Sequence, residues 1–307
     1  MTLTSIPKRF GLRLRNRLAR NMARKAGEAL GPDVDMEIGR KLLHAAGDRV
    51  PPDRSVSRAD VELAGLNTLV FSPRKNPRPG QMLFIHGGGY SRGSAHGHSP
   101  FISRLAARLN LKTRAIDYRL APEHPFPAGL DDCEAAYKAL RVGLDGPLVL
   151  AGDSAGAGLA LALCVRLKAQ GAALPDALIL YSPWCDLTNS AESMRTKSEI
   201  DPMFEGHWFP IGAQYYAPGD DRTRPEISPL FGDFDGFPPA LIQVGSDEVL
   251  LDDSLRLEQR MSDAGVDVTC EVWDGMWHDF PMFQPLLPEG RMANKRARAW
   301  LDARLGA

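Results

Sequence analysis

The sequence predicts an α/β domain built on a mostly parallel sheet with helices on both faces. Three observations predict it. Short apolar runs alternate with longer helical patterns from Gln81 to the end of the chain. Those runs are continuous rather than period-two, as strands buried on both faces require. A glycine-flanked serine, Gly152-Asp153-Ser154-Ala155-Gly156, falls between one such run and a helical pattern.

The elements follow in order. Residues up to about Pro52 read as helical, with one helix from about Val34 to Ala46. Ala59 to Phe71 alternates toward strands, with Gly65-Leu66-Asn67 as a hairpin corner. Ser72 to Gly80 is rich in proline and basic residues and reads as a surface loop. Strands are then expected at Met82–Ile85, Thr113–Tyr118, Pro147–Ala151, Ala177–Tyr181, Ala240–Val244 and Val266–Trp273. Helices are expected at Pro100–Leu109, Gly129–Val142, Ala155–Gln170, Leu251–Ala264 and about Pro288–Arg304. Asp186 to Gly236 breaks the rhythm, carries Trp208, Phe209, Tyr215, Tyr216 and several prolines, and reads as an insertion over the site.

Composition bounds the function. The 307 residues suffice for one large domain with insertions. A net charge of -1 gives no global attraction to nucleic acid. Cys133, Cys164, Cys185 and Cys270 show neither C-x-x-C nor zinc-finger spacing, and a reducing cytoplasm is the expectation. From Lys8 to Lys25 the chain carries eight basic residues and no acid. A secretory signal needs an unbroken apolar core there, and none is present. The favoured reading is a solvated amphipathic helix with Phe10, Leu12, Leu14, Leu18 and Met22 as its apolar stripe, over a mitochondrial presequence or a membrane-surface helix. No run is long enough to span a membrane, so no stable insertion is expected.

The serine sequence matches a nucleophile elbow, in which a sharp strand-to-helix turn exposes the hydroxyl at its apex. The helix N-terminus adds partial positive charge beside a developing oxyanion. His86-Gly87-Gly88-Gly89 follows an early central strand, where backbone N–H groups stabilise that oxyanion. The expected donors are Gly87, Gly88 and Ala155. His86 reads as structural. In the chain order of this motif an acid and then a histidine follow the serine. His207 lies in the insertion, so His278, after the strand Val266–Trp273, is the expected general base. Asp247, after the strand Ala240–Val244, is the expected acid that orients it, ahead of Glu248, Asp252, Asp253, Asp274 and Asp279. Asp252 and Asp253 read as helix caps, Glu248 as pointing away, and Asp153 as a structural hydrogen-bonder. Tyr90, Trp184, Met203, Phe204 and Trp208 are candidates to line a substrate pocket.

Together these motifs resemble the bacterial hormone-sensitive-lipase family of esterases, from about Met82 to Phe280. The resemblance rests on His86–Tyr90, on Asp117-Tyr118-Arg119-Leu120-Ala121-Pro122-Glu123-His124-Pro125-Phe126-Pro127-Ala128, on the elbow, on Ser182–Leu187, on Ser228-Pro229-Leu230, and on Asp247–Asp253. It implies an α/β-hydrolase fold with an eight-stranded sheet. Its cap would be formed by residues 1–52 and 186–236 over a core of 53–185 and 237–307. It also implies hydrolysis of small, short-chain carboxylic esters with neither metal nor cofactor, a frequent homodimer, and a bracing role for Tyr118–Ala128 under the glycine loop. A lactone, acetyl-sugar or amide hydrolase on the same triad is an alternative reading. A non-catalytic ligand-binding protein on the same fold is another.

Overall fold

A computed structural model describes residues 3–6 and 13–306. In chain order its elements are β1 (Leu3–Ile6), α1 (Arg13–Leu30), α2 (Met36–His44), α3 (Ala46–Arg49), β2 (Val56–Leu63), β3 (Leu66–Pro73), β4 (Gln81–Ile85), α4 (Ala95–Leu109), β5 (Lys112–Ile116), α5 (Ala128–Arg141), β6 (Leu148–Asp153), α6 (Ser154–Ala169), β7 (Ala177–Tyr181), α7 (Ser193–Thr196), α8 (Phe209–Tyr216), β8 (Ala240–Gly245), α9 (Leu251–Asp263), β9 (Val268–Trp273) and α10 (Pro288–Leu305). They form one sheet of order β1-β9-β8-β7-β6-β4-β5-β3-β2. The β2–β3 and β3–β5 pairings are antiparallel and all others are parallel.

The central strands β6, β7 and β8 are buried along their whole length, and apart from Asp153 and Gln243 their residues are glycine or apolar on both faces save the Tyr181 hydroxyl. In β4, Met82 and Phe84 join the cluster beneath α4 and α10, with Phe101, Ile102, Leu105 and Leu301. Leu83 and Ile85 join the opposite cluster, with Leu130 of α5, Leu161 of α6 and Leu257 of α9. This is the period-two alternation of a strand expressed across two layers. Helix α6 is buried on nearly every side, which its apolar, small-residue sequence permits.

Two expectations change here. Among the described residues the sheet has nine strands, because Leu3–Ile6 pairs in parallel with Cys270–Trp273 at the edge instead of joining a helical segment. Four extended residues carry too little pattern to announce a strand. The apolar stripe of α1 also differs. Its buried face is Ala19 and Ala23, whereas Leu18 and Met22 are about half exposed. Phe10 and Leu12 lie outside the described residues. Small residues win that face because α1 lies close to the loops after β8 and β9, within the cluster of Met203, Trp273, Met276, Trp277 and Phe280. Asp35 caps α2 by accepting the N–H groups of Glu37 and Ile38. All four cysteines are free and buried.

Candidate active site

The site lies at the carboxyl ends of the parallel strands, as in open α/β sheets generally. Ser154 follows β6 directly with φ 51° and opens α6. A left-handed conformation costs a non-glycine residue roughly 1–2 kcal/mol. The surrounding packing holds it there. A Cβ on Gly156 would stand 2.1 Å from the Ile85 carbonyl oxygen, so only glycine lets α6 start this close to β4.

The glycine loop is fixed by the elbow's own acid. Asp153 Oδ1 accepts the Gly87 N–H at 3.0 Å. Gly87, expected as an oxyanion donor, therefore has its hydrogen committed to Asp153 and does not line the pocket. Gly88 and Gly89 do line it, beside Ser154. Gly88 sits at φ 119°, a conformation open to glycine, and this turns the loop toward the serine. Ala155 is in the first turn of α6, where backbone N–H groups have no helical acceptor.

The loop is braced from behind. His86 Nδ1 contacts the Gly87 carbonyl at 2.8 Å, and the ring stacks on Tyr118 at 4.4 Å. Burial lowers the His86 pKa to about 4, which keeps the ring neutral. Tyr118 donates to the His86 carbonyl at 2.9 Å, and the Ala121 N–H to the Tyr90 carbonyl at 3.0 Å. His86, read as structural, and the Tyr118–Ala128 segment, given that role only by the family resemblance, both contact the loop from behind. His98 supports it through Asp153, with no sequence signal to single it out. Its Nε2 lies 3.4 Å from Asp153 Oδ2. Burial opposes charge on His98, but the Asp153 carboxylate raises its pKa above the ordinary value.

The acid on the histidine differs from the expectation. His278 is buried, and its Nδ1 lies 3.3 Å from Glu248 Oε1. Glu248 Oε2 accepts from the Ser182 hydroxyl at 2.9 Å and the Gly245 N–H at 2.7 Å. Asp247 turns outward and is held by Arg20 of α1 at 2.7 Å. Both residues lie in the turn after β8, and the inward side belongs to Glu248. Asp252 accepts the Ser193 N–H, and Asp253 accepts those of Cys185 and Asp186. These two acids therefore tie Cys185, Asp186 and Ser193 to α9 and do not cap that helix through their side chains.

Nε2 of His278 has no hydrogen-bond partner among the described residues, so Ser154 is not bonded to it here. Asp279 Oδ2 stands 3.0 Å from that nitrogen instead. Burial opposes charge on His278, yet Asp279 and Glu248 together raise its pKa well above the ordinary value. Asp201, in the insertion, faces the same cluster and accepts the Met203 and Val249 N–H groups at 2.9 and 3.2 Å. Burial pushes its carboxyl up to about 7.

Above Ser154 a cavity of about 510 Å³, its open mouth included, is lined by Leu30, Trp184, Phe204, Trp208, Phe209 and Ile211 among others. Three of the five expected pocket residues, Trp184, Phe204 and Trp208, are there. Tyr90 is not: it is buried behind the loop, stacked on Tyr216 at 4.0 Å. Met203 is not either: its backbone presses on Gly27 and its side chain packs with Trp277. Size and apolarity fit a wall and a core equally, so type alone could not separate them. His207 is exposed in the insertion, as expected. Among the described residues no cluster of three metal-ligating side chains occurs, and no helix is long and apolar enough to cross a membrane.

Residues 82–282 match the family described as the alpha/beta hydrolase fold. The chain is 39% identical over 247 residues to an esterase of Acinetobacter venetianus, covering 79% of this chain and 81% of that one. It is 42% identical over 227 residues to an acetyl-hydrolase of Streptomyces hygroscopicus, covering 73% and 76%. Among solved structures it is similar to an esterase from the bacterial hormone-sensitive-lipase family, with a TM-score of 0.90 at 35% identity and coverage of 97% and 100%.

Proposed function

The chain belongs to the α/β-hydrolase fold family and is a carboxylic ester hydrolase of the bacterial hormone-sensitive-lipase group, and on that premise we propose that it works as a serine esterase through Ser154, His278 and Glu248. One observation carries the reading. The hydroxyl of a strained elbow faces an apolar cavity beside a glycine loop, and a buried imidazole backed by a carboxylate stands on the neighbouring loop.

In this reading His278 takes the Ser154 proton as the hydroxyl attacks the ester carbonyl. The imidazole must first turn Nε2 from Asp279 toward the hydroxyl. The N–H groups of Gly88, Gly89 and Ala155 stabilise the oxyanion, each worth about 2.7–4 kcal/mol. Collapse of the tetrahedral intermediate releases the alcohol, which takes its proton from the imidazolium. Water, deprotonated by His278, then frees the acid and restores the serine. Glu248 fixes the tautomer that leaves Nε2 as the acceptor, and its bonds from Ser182 and Gly245 keep it oriented.

The small aromatic cavity supports short acyl chains, and the Streptomyces relative's name points to acetyl esters. The test is Ser154→Ala, assayed on p-nitrophenyl esters from acetyl to decanoyl. Hydrolysis should fall by ~10⁴-fold or more with the fold intact. A fluorophosphonate should add one phosphonyl group to the Ser154 peptide of the wild type and none to the variant. Full hydrolysis by the variant would refute the nucleophile, and a wild-type preference for decanoyl would refute the chain-length reading.

A further inference from the structure

The acid that follows the base is unexplained by this mechanism. Asp279 adopts φ 51°, a left-handed conformation in which only Gly, Asn and Asp are at home. That backbone brings its carboxylate back onto the side chain of its own predecessor. Oδ2 stands 3.0 Å from His278 Nε2, the nitrogen that must accept the serine proton. Oδ1 is buried with no hydrogen-bond partner among the described residues. The backbone N–H of Asp279 donates to Ser182 Oγ at 3.2 Å, and the same hydroxyl donates to Glu248. The imidazole is thus held between two carboxylates, Glu248 on Nδ1 and Asp279 on Nε2, with the Phe204 ring against its edge at 4.8 Å.

We infer that Asp279 is a positioning residue that competes with the Ser154 hydroxyl for Nε2 of His278 and so sets the pH at which the base becomes available. The inference rests on the proposed triad. While His278 is an imidazolium, Glu248 faces Nδ1 and the Asp279 carboxylate stands 3.0 Å from Nε2, so its charge is held from both sides and the serine has no acceptor. Loss of one proton to solvent frees Nε2 and breaks the charge attraction to Asp279, and the ring can then turn to the hydroxyl. When the imidazolium forms again during acyl transfer, Asp279 is positioned to stabilise it.

The groups facing this pair come from four elements. Around His278 lie Glu248 of the β8 loop and Asp201 of the insertion. Around Asp279 lie Asp153 at the end of β6, Glu248 again, and His98 of α4. Glu248 and Asp279 act on the imidazolium in the same direction. Asp153 opposes ionisation of Asp279, and His98 is attracted to it. Burial raises the Asp279 carboxyl and the imidazolium lowers it, so the two groups titrate as a pair.

The sign follows from charge. A carboxylate 3 Å from an imidazolium holds the proton on the ring, so the acid limb of kcat/KM lies higher than it would without Asp279. Removing one such charge moves a partner's pKa by about 1–3 units. Asp279→Asn keeps the size and tolerates the left-handed backbone, and Asp279→Gly removes the side chain while tolerating it still better. Both should move the midpoint of the acid limb down by about one unit or more. The same shift should appear in the pH dependence of fluorophosphonate inactivation, which reports the free enzyme without product release. An acid limb unmoved in both variants, in protein melting at the wild-type temperature, overturns the inference. So does lowered activity at every pH with an unmoved limb, which is what a merely structural Asp279 would give. Failure of the triad itself reads differently, since Ser154→Ala would then keep hydrolysis whatever the Asp279 variants do.

Discussion

Glu248→Gln and Asp247→Asn make the sharpest pair of variants, because the two residues are neighbours and only one can orient the base. Glu248 is fully buried, reaches His278 Nδ1 at 3.3 Å, and accepts from Ser182 and from the Gly245 backbone. An amide in its place cannot serve all three donors: its nitrogen has to face one of the N–H or O–H groups that now meet an oxygen. Either that contact is lost or the imidazole is driven to the tautomer with hydrogen on Nε2, which cannot take the serine proton. The comparable acid-to-amide change in serine proteases costs ~10⁴ in kcat with the geometry retained. At about 1.36 kcal/mol per factor of ten, that is about 5.4 kcal/mol of transition-state stabilisation. Asp247 has no such role. Its partner is Arg20, and the two side chains are 24% and 29% exposed, so solvent screening holds their pair to roughly 0.2–1 kcal/mol of stability. Asp247→Asn should therefore keep kcat/KM within about twofold and lower the melting temperature by no more than about 4 °C. The assay is steady-state hydrolysis of p-nitrophenyl acetate or butyrate at a pH above the acid limb, with circular dichroism to show that both variants are folded. A Glu248→Gln enzyme with near wild-type kcat, together with an Asp247→Asn enzyme reduced by three or more orders of magnitude, would return the acid to position 247 and refute the geometry.

Two other outcomes follow from the packing around the elbow and the cap. Gly156→Ala would put a methyl group 2.1 Å from the Ile85 carbonyl and 2.6 Å from the His86 backbone, so α6 has to move off β4. Urea unfolding should show at least the ~1–3 kcal/mol of an overpacked core, and a loss below about 0.5 kcal/mol would refute the close approach. Arg20 joins α1 to the loops after β8 and β9: it pairs with Asp247, donates to the Gly275 carbonyl at 3.3 Å and lies over Trp277 at 5.1 Å. Arg20→Ala should lose roughly 1–2 kcal/mol from the ion pair and the cation–π contact together. It should raise KM more than it lowers kcat, since it loosens α1 and leaves Ser154, His278 and Glu248 in place. A lowered kcat at unchanged KM would contradict that.

Much of this was legible in the sequence because packing imposes it directly. The central strands had to be largely apolar on both faces, and β6 and β7 were readable as apolar runs, with β8 broken by Gln243. The elbow was readable because small residues at 152, 156 and 158 have no other common reason to follow a buried strand so closely. What the pattern could not carry was contact between segments far apart in sequence. Leu3–Ile6 becomes a strand only because β9 offers it an open edge. The face of α1 is chosen by the tight approach of the β8 and β9 loops, which selects Ala19 and Ala23 over Leu18 and Met22.

The acid shows where such reading stops. Asp247 and Glu248 are adjacent, both ionisable, and both just past a strand end. Chain order and loop position choose the loop but not the residue. The choice is made by direction, and direction is set by partners that arrive from elsewhere: Ser182 after β7 turns one carboxylate inward, and Arg20 of α1 draws the other outward. The same holds for the glycine loop. Three consecutive glycines look equivalent until Asp153, sixty-six residues on, takes the hydrogen of the first, while the other two line the cavity. In both cases neighbouring candidates of equal chemistry are separated by which of them already has a hydrogen-bond partner. The residues that supply those partners, Asp153, Ser182 and Arg20, are therefore as informative about the site as the residues that face the substrate.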